Sequence, residues 1–324
     1  MKDIYYIIHR SKFFFFNKNK FKVITNLNFN NILKFFIYII IFILFDLIPK
    51  NKIKKQIKVC LCVIGKKENK YIIEFINHYM LLGYDHIYIY DNNNIDEERM
   101  DQIINNSNFI TIIDYTINKS KNLNWQYKAY YDCYKNNNRK YDWLSFFDLD
   151  EFLEIIPNNQ TIKNFLNNER YIKCQNNKIN WLLYSSSEEI LYFINKPLQE
   201  RFKRPIFNDG ANIHIKSTVR GRLTKNYWTR WENSHSSIDT FKSCSSSGKS
   251  VSGKIAYINP PDYKYAFLKH YYHKSFEEYC LKLKSGWPDP TNQTLWINNL
   301  LNDNKYSKEK LEIIKKILNL TIVN

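Results

Sequence analysis

The fold prediction starts from the stretch Trp143-Leu-Ser-Phe-Phe-Asp148-Leu-Asp150-Glu151-Phe-Leu153. An apolar run bounded by charge is typical of a buried strand, and side chains at positions i and i+2 of a strand share one face. Asp148 and Asp150 are therefore expected to emerge together at the carboxyl end of that strand. Two adjacent carboxylates repel each other unless a cation neutralises them, and Mg²⁺ and Mn²⁺ prefer oxygen ligands. The pattern predicts a metal–diphosphate site at the carboxyl edge of an α/β sheet, with an acidic solvated turn as the alternative.

The composition indicates a folded, basic protein. The chain has 324 residues, of which 17% are aromatic, and its formal net charge is +17. This aromatic content is enough for a substantial core and excludes a disordered chain. The charge is compatible with nucleic acid, an anionic membrane surface or an anionic substrate. Because the lysines are scattered through Asn-rich stretches, and no aromatic–glycine motif or Cys/His finger is present, a nucleic-acid partner is not expected.

The cysteines do not indicate a metal site. They are widely spaced, and no CxxC pair occurs among them. An even number permits disulfides in an oxidising lumen but does not require them in a chain of this size. The six residues are Cys60, Cys62, Cys133, Cys174, Cys244 and Cys280.

The N-terminal region, residues 1–56, is basic and contains a hydrophobic, anchor-like segment at about 35–48. A transmembrane helix needs roughly 20 apolar residues, so this segment is short. The basic residues before it favour a cytoplasmic N-terminus. We therefore expect a single-pass type II membrane protein, in the Golgi or endoplasmic reticulum if the source is eukaryotic, with a cytoplasmic protein as the alternative.

Between this region and Asp150, strand and helix patterns alternate. The order β-α-β-α-β-α-β is typical of a parallel sheet with helices on both faces. We expect this α/β domain to cover residues 57–290, followed by a helical extension over 291–324. The predicted strands are 59–64, 86–90, 110–113 and the run before Asp148, and the predicted helices are 68–82, 97–104 and 125–134.

The pattern is weaker after Pro157. A helix at 162–166, a strand at 179–184 and helices at 276–283 and 308–318 are predicted from periodicity. Residues 203–265 are polar, and the serine-rich part at 243–252 predicts a mobile loop.

Polar side chains follow the predicted strands and should meet at one crevice. Lys67 and Glu68 follow the first strand, Asp91 ends the second, and Gln126 begins the helix before the fourth. The carboxyl ends of parallel strands converge, so these groups are expected beside Asp148. Because neither G-x-G-x-x-G nor a Walker A motif is present, a diphosphate here would be held by a metal and cationic side chains.

Several ordered blocks then resemble a known family. They are KKENKYIIEFINHYMLLGYDHIYIYDNNNID, Gln126 with Ala129 and Cys133, WLSFFDLDEFL, INWLLYSSS, PLQERF, IKSTVRG and LKHYYHKSFEEYCLKLKSG. Over roughly residues 57–286 the chain resembles glycosyltransferase family 92 and related family-2-like transferases of the GT-A fold. The resemblance implies an α/β fold with a GT-A-type mixed, mostly parallel sheet flanked by helices.

The resemblance also implies roles for individual residues. Asp148 and Asp150 would bind Mn²⁺ or Mg²⁺, and His270 would be a late metal ligand or a contact of the diphosphate. Asp91 would lie by the base or ribose, Gln126 near the nucleotide or diphosphate, and Lys274 would neutralise the leaving phosphates. Lys67 and Glu68 would complete the nucleotide-sugar site.

The implied reaction is inverting transfer of a sugar from a nucleotide-diphosphate donor, with a UDP-sugar favoured and galactose possible, to a glycan or other hydroxyl acceptor. Direct attack by the acceptor needs a general base within hydrogen-bond reach. The sequence offers Glu151, Glu200, Asp209 and Glu232 and does not choose between them.

Two other functions remain open. A haloacid-dehalogenase-type phosphatase also begins from a strand followed by D-x-D, and Asp148 would then be its nucleophile. Phe152 stands where Thr or Val is usual in that class. The charge of +17 would also suit a non-enzymatic, basic membrane-associated protein.

Overall fold

A computed structural model describes residues 56–116, 125–185, 191, 196–223, 235, 242–253, 255–284, 308 and 312–317. The predicted anchor-like segment at 35–48 and the base candidate Glu232 lie outside these residues. Within the described part of the chain, no helix is long and apolar enough to cross a membrane.

The described residues form an α/β domain. Its strands are β1 (Val59–Gly65), β2 (His86–Asp91), β3 (Ile110–Asp114), β4 (Trp143–Asp148), β5 (Glu151–Ile155), β6 (Asn176–Leu183), β7 (Ile215–Arg220), β8 (Ser243–Ser245), β9 (Ser250–Val251) and β10 (Ala266–His270). Its helices are α1 (Ile72–Leu81), α2 (Trp125–Asn137), α3 (Ile162–Leu166), α4 (Leu198–Arg201) and α5 (Phe276–Lys284).

The first half of the sheet is parallel, as the sequence predicts. Strands β3, β2, β1 and β4 are neighbours in that order, and every pair runs parallel. Alternate side chains of β1 face two separate apolar clusters. Val59, Leu61 and Val63 pack with α1, whereas Cys60 and Cys62 pack with α2. The two helices therefore cover opposite faces of the sheet.

The second half of the sheet is mixed, so the expected mostly parallel sheet is confirmed only in part. The order continues through β7, β6, β10 and β5. Strand β7 runs antiparallel to both β4 and β6, and β5 runs antiparallel to β10, while β6 and β10 are parallel. This arrangement brings the start of β5 and the end of β10 beside the carboxyl end of β4.

The prediction of a loop at 243–252 is wrong for β8 and β9, and the polar region before it contains the strand β7. Polar residues are buried there because their side chains find partners within the sheet. Thr218 lies 2.9 Å from the hydroxyl of Ser145 on β4. Lys178, fully buried at the start of β6, donates to the carbonyl groups of Ser252, Gly253 and Ile255. The alternation of apolar and polar residues therefore gives no signal for these strands.

Other differences are small. The predicted helix at 97–104 is a 3-10 turn, Met100–Gln102, and β6 begins three residues before the predicted strand. Residues 312–317 are helical, within the helix predicted at 308–318.

Two disulfides join distant parts of the domain. Cys62 on β1 pairs with Cys133 on α2, and Cys174 pairs with Cys244 on β8. Cys60 is buried as a free thiol. The first bridge ties α2 to the sheet beneath it, and the second ties β8 to the turn before β6.

Candidate active site

The two aspartates lie where the sequence places them, at the carboxyl end of β4. Asp148 is the last residue of that strand, and Asp150 lies in the turn that leads into β5. Leu149 between them is buried in the core. It packs so closely on Gly65, at the end of β1, that a Cβ atom on Gly65 would lie 2.1 Å from Leu149 Cδ1. The glycine therefore lets the Asp-Leu-Asp turn sit directly against the neighbouring strand.

Asp148 is held by three donors. Its Oδ1 accepts hydrogen bonds from Gln126 Nε2 (2.6 Å) and the Tyr130 hydroxyl (2.7 Å), and its Oδ2 accepts from Lys216 Nζ (2.8 Å). Burial alone would raise the pKa of Asp148, but Lys216 and these hydrogen bonds lower it below its usual value. The carboxylate is therefore ionised and fixed in orientation by α2 and β7.

Asp150 is surrounded by cationic groups on the other side of the turn. Lys282 Nζ lies 2.8 Å and Lys274 Nζ 3.4 Å from its Oδ2, while His270 Nε2 lies 3.6 Å from its Oδ1. Burial would raise the pKa of Asp150, but Lys282, Lys274 and His270 hold it well below its usual range. These three partners come from β10, α5 and the segment between them.

Glu151 is fully buried beneath the two aspartates. Its Oε2 accepts from the backbone N–H of Asp148 at 3.0 Å, and its Oε1 lies 3.8 Å from Lys216 Nζ without a hydrogen bond. Burial raises the pKa of Glu151 well above its usual value, and Lys216 opposes this only in part. In this position Glu151 supports the turn and has no exposed surface toward an acceptor.

The block after β1 reaches the site through Glu68. The carboxylate of Glu68 lies 3.0 Å from Lys274 Nζ, so Lys274 bridges Glu68 and Asp150. Lys67 points elsewhere, because its half-exposed side chain pairs with Glu97 at 3.1 Å. Glu68 is therefore connected to Asp150 through Lys274, whereas Lys67 lies outside the cluster around the two aspartates.

Asp91 is fully buried under the loop that follows β2. Its Oδ1 accepts from the backbone and side-chain nitrogens of Asn93, and its Oδ2 accepts from the backbone N–H of Met100 (2.8 Å) and lies 3.2 Å from Arg99 Nε. The carboxylate of Asp91 therefore stabilises the loop after β2. A base or ribose would contact residues of this loop and not Asp91 itself.

The structure describes two other base candidates, Asp209 and Glu200. Asp209 is partly buried and accepts from the backbone N–H of Ala211 at 2.8 Å, as the N-cap of a 3-10 turn, Gly210–Ile213. Glu200 is exposed on α4. The structure describes Asp209 and Glu200 but does not bring either into the cluster around Asp148.

The donor chemistry of the cluster fits a hard divalent cation. The carboxylates of Asp148 and Asp150 are oxygen ligands of the kind that Mn²⁺ and Mg²⁺ prefer, and the imidazole of His270 lies beside Asp150. The lysine contacts of Asp150 fall on Oδ2, whereas Oδ1 faces His270. Within the described residues, no group of three or more His, Cys, Asp or Glu side chains is already spaced around a metal position.

Sequence reasoning missed Lys216, Tyr130 and Lys282. Lys216 is fully buried on β7 and contacts Asp148 across 68 positions of sequence, while Lys282 contacts Asp150 across 132. The sequence carries no local signal for either lysine, because strand order and helix docking bring each one to its partner.

Comparison with known proteins identifies the family of this chain. The family model described as "Glycosyltransferase family 92" matches residues 55–294. One curated relative, "Glycosyltransferase family 92 protein Os08g0121900" of Oryza sativa subsp. japonica, is 26% identical over 117 residues. That match covers 36% of this chain and 19% of the relative, so the aligned part spans about a fifth of that protein's length.

Proposed function

This chain belongs to glycosyltransferase family 92, and we propose that it transfers a sugar from a nucleotide-diphosphate donor to a hydroxyl group of a glycan or glycoconjugate acceptor. One observation carries the proposal. Two ionised carboxylates, Asp148 and Asp150, stand with buried lysines at the carboxyl edge of a parallel sheet, where α/β folds bind ligands.

We propose a UDP-sugar as the donor, with UDP-galactose the first to test. The charges of the site support a diphosphate. Lys274 and Lys282 both reach Asp150, and their ammonium groups are therefore placed to meet phosphate oxygens beside it. A Gly-rich phosphate loop is missing, so cationic side chains must supply this charge.

We propose that Asp148, Asp150 and His270 hold Mn²⁺ or Mg²⁺. When bound, the cation would act as a Lewis acid that stabilises the negative charge of the departing diphosphate. The chain itself orients the carboxylates, because Gln126, Tyr130 and Lys216 fix Asp148.

We propose an inverting transfer, in which the acceptor oxygen attacks directly and a general base takes its proton. Glu151 is fully buried against Asp148 and Lys216, so it serves better as a support of the turn than as a base. Asp209, Glu200 and Glu232 remain the candidates for that role. The anomeric configuration of the product, read by NMR from the coupling constant of its anomeric proton, tests inversion. Retention of configuration would contradict it.

The experiment that tests the proposed function is donor turnover by the purified full chain. A panel of UDP-, GDP- and CMP-sugars is incubated with Mn²⁺ or with EDTA, and release of nucleotide is measured with and without glycan acceptors. We expect turnover of one UDP-sugar that requires the divalent cation. A folded protein that binds and turns over no donor under either condition would contradict the proposal.

We also propose that the segment at 35–48 anchors the protein in a membrane, with the domain on the lumenal side. The two disulfides support this setting, because disulfides persist in oxidising compartments. Carbonate extraction and protease protection of the full chain in microsomes test it. Release by carbonate, or digestion of the domain in intact vesicles, would contradict it.

A further inference from the structure

A row of aromatic rings crosses the sheet beside the aspartates. Trp181 on β6 has neighbours on both sides. On one side its backbone N–H donates to the carbonyl of His214, the residue just before β7, and on the other side its partner in the sheet is Leu268 on β10. The indole ring centroid is 5.2 Å from that of His214 and 4.2 Å from that of His270. The rings therefore stand side by side on one face of three neighbouring strands.

One end of this row lies beside Asp150, and the other end is connected to Asp148 through Lys216. At one end, His270 Nε2 lies 3.6 Å from Asp150 Oδ1. At the other end, Lys216 follows His214 by two residues on β7, so the two side chains share a face, and Lys216 binds Asp148. The row thus borders the position where the diphosphate and its sugar are proposed to lie.

Among the residues that the structure describes, two polar atoms of the row have no hydrogen-bond partner. Trp181 Nε1 and His270 Nδ1 are both buried and make no hydrogen bond, and the His270 side chain is only 4% exposed. A buried polar group without a partner costs free energy, so such a group calls for a ligand that satisfies it. The indole N–H can only donate, whereas the imidazole Nδ1 donates or accepts according to the tautomer.

A sugar ring has the chemistry that these atoms require. A hydroxyl group both donates and accepts, so it can pair with the indole N–H and with the imidazole in either tautomer. Phosphate oxygens are acceptors and suit the neighbouring lysines instead. The apolar C–H face of a hexose can also pack on an indole ring, which offers a large, rigid apolar surface.

We propose that Trp181, flanked by His214 and His270, forms the subsite for a hexose ring, which it contacts through the indole ring and the Nε1–H. This inference rests on the proposed function, since it places the sugar beside the diphosphate site of that reaction. The hexose is either the sugar of the donor or the terminal sugar of the acceptor, and the experiment below separates the two.

The test compares Trp181→Phe and Trp181→Leu with the wild-type full chain. Phenylalanine keeps an aromatic ring and loses the N–H, whereas leucine removes both. Phe207→Leu is the matched control, because Phe207 is 63% exposed and lies outside the row. Calorimetry gives the Kd of UDP and of UDP-galactose, and initial rates with the glycan acceptor that the turnover panel identifies give kcat and the KM of each substrate.

We expect UDP to bind all variants with Kd values within about twofold of each other. If the row holds the donor sugar, the Kd of UDP-galactose rises about tenfold in Trp181→Leu and about threefold in Trp181→Phe. If it holds the acceptor sugar, the acceptor KM rises by these factors while the Kd of UDP-galactose stays constant. Either result supports the subsite.

Unchanged UDP-galactose affinity and acceptor KM in Trp181→Phe, with nucleotide binding retained, would overturn the subsite alone. A wild-type protein that binds neither UDP nor UDP-galactose would instead overturn the proposed function, and the subsite with it. If Trp181→Leu does not fold, Trp181→Phe still tests the subsite, because phenylalanine preserves the packing of the ring.

Discussion

At the scale of single residues, the electrostatics of the site depend on Lys216. Its ammonium group is fully buried between Asp148 Oδ2, at 2.8 Å, and Glu151 Oε1, at 3.8 Å. Burial alone would lower the pKa of Lys216, but the nearby Asp148 and Glu151 raise it above its usual value. A charged lysine here keeps Asp148 ionised beside the buried carboxyl group of Glu151 before any ligand arrives.

Replacing Lys216 with methionine should therefore destabilise the protein strongly. The change leaves Asp148 and Glu151 without their buried cation, and breaking a buried pair in this way costs about 3–5 kcal/mol. Urea unfolding followed by circular dichroism measures the free energy of unfolding. The control is Lys163→Met, which removes a partly exposed pair with Asp85 and should cost less than about 1 kcal/mol. Equal losses in the two variants would contradict the role of Lys216.

Lys282 should matter for donor affinity more than for folding. Its ammonium group contacts Asp150 at the edge of the cluster and is placed to meet a phosphate. Lys282→Met is expected to raise the KM for the donor about tenfold, the effect of losing one charge-assisted contact. Lys282→Arg should recover part of the loss.

The matched control for Lys282 is Lys269→Met, because Lys269 lies on β10 and pairs with Glu154 away from the aspartates. Its donor KM should stay at the wild-type value. A Lys282→Met enzyme with unchanged donor KM would show that this lysine does not contact the diphosphate.

The sequence predicts Asp148 and Asp150 because their signal is local. Strand periodicity and an i, i+2 spacing suffice to place both carboxylates at one edge. Lys216 and Lys282 carry no such local signal, since their partners lie 68 and 132 residues away and are brought close by strand order and helix docking. The charge balance of the site is therefore a property of the tertiary structure.

At the scale of elements, α5 is fixed by one buried carboxylate. Glu278 accepts two hydrogen bonds from the guanidinium group of Arg201 on α4, at 3.1 and 2.6 Å, and one from the Tyr71 hydroxyl. Because α5 also carries Lys282, the network around Glu278 holds Lys282 in position next to Asp150.

This network predicts a loss of stability in acid. Burial would raise the pKa of Glu278, but Arg201, Ser275 and Tyr71 lower it to about 2 from the usual 4.5. A depressed folded-state pKa stabilises the protein fully above the unfolded value, and this contribution is lost as the pH falls toward 2. The shift corresponds to roughly 3 kcal/mol.

Urea unfolding at a series of pH values from about 6 to about 2 measures this contribution, because that range includes the usual pKa of a glutamate. Glu278→Gln should be less stable than the wild type near neutral pH, and the difference should shrink as the pH falls. A constant difference across the series would contradict the assignment of the acid-sensitive term to Glu278.

Elements in the first half of the fold are predictable, and those in the second half are less so. Strands β1 to β4 are apolar runs separated by an amphipathic helix and turns, which local patterns reveal. Strand β7 buries Lys216, Ser217 and Thr218, and β8 is the triplet Ser243–Ser245. Such strands are stabilised by partners on neighbouring strands, so their polar sequence resembles that of a loop.

At the scale of the whole molecule, the two disulfides close loops across much of the domain. Cys62 and Cys133 are 71 positions apart, and Cys174 and Cys244 are 70 apart. Cross-links that close loops of this length stabilise a protein by about 4 kcal/mol each in the chain-entropy model.

Reduction should therefore lower Tm by roughly 10 °C for each bridge. Differential scanning fluorimetry with and without a membrane-permeant reductant gives the shift. The variant Cys174→Ser/Cys244→Ser should lose only one of the two contributions and should remain sensitive to reductant through Cys62 and Cys133. A Tm that is independent of reductant in the wild type would contradict the two bridges.

The central claim is that the carboxylate pair at the end of β4 serves glycosyl transfer, and one comparison tests it most directly. The full chain, Asp150→Asn and the control Glu154→Gln are assayed for turnover of UDP-sugars in Mn²⁺. Glu154 is a partly exposed carboxylate on β5 that pairs with Lys269, so its amide should leave the rate unchanged. We predict that Asp150→Asn folds, with circular dichroism like that of the wild type, and loses at least about a hundredfold in kcat/KM, as expected when an electrostatic contact of the transition state is removed. Wild-type turnover by Asp150→Asn would contradict the claim.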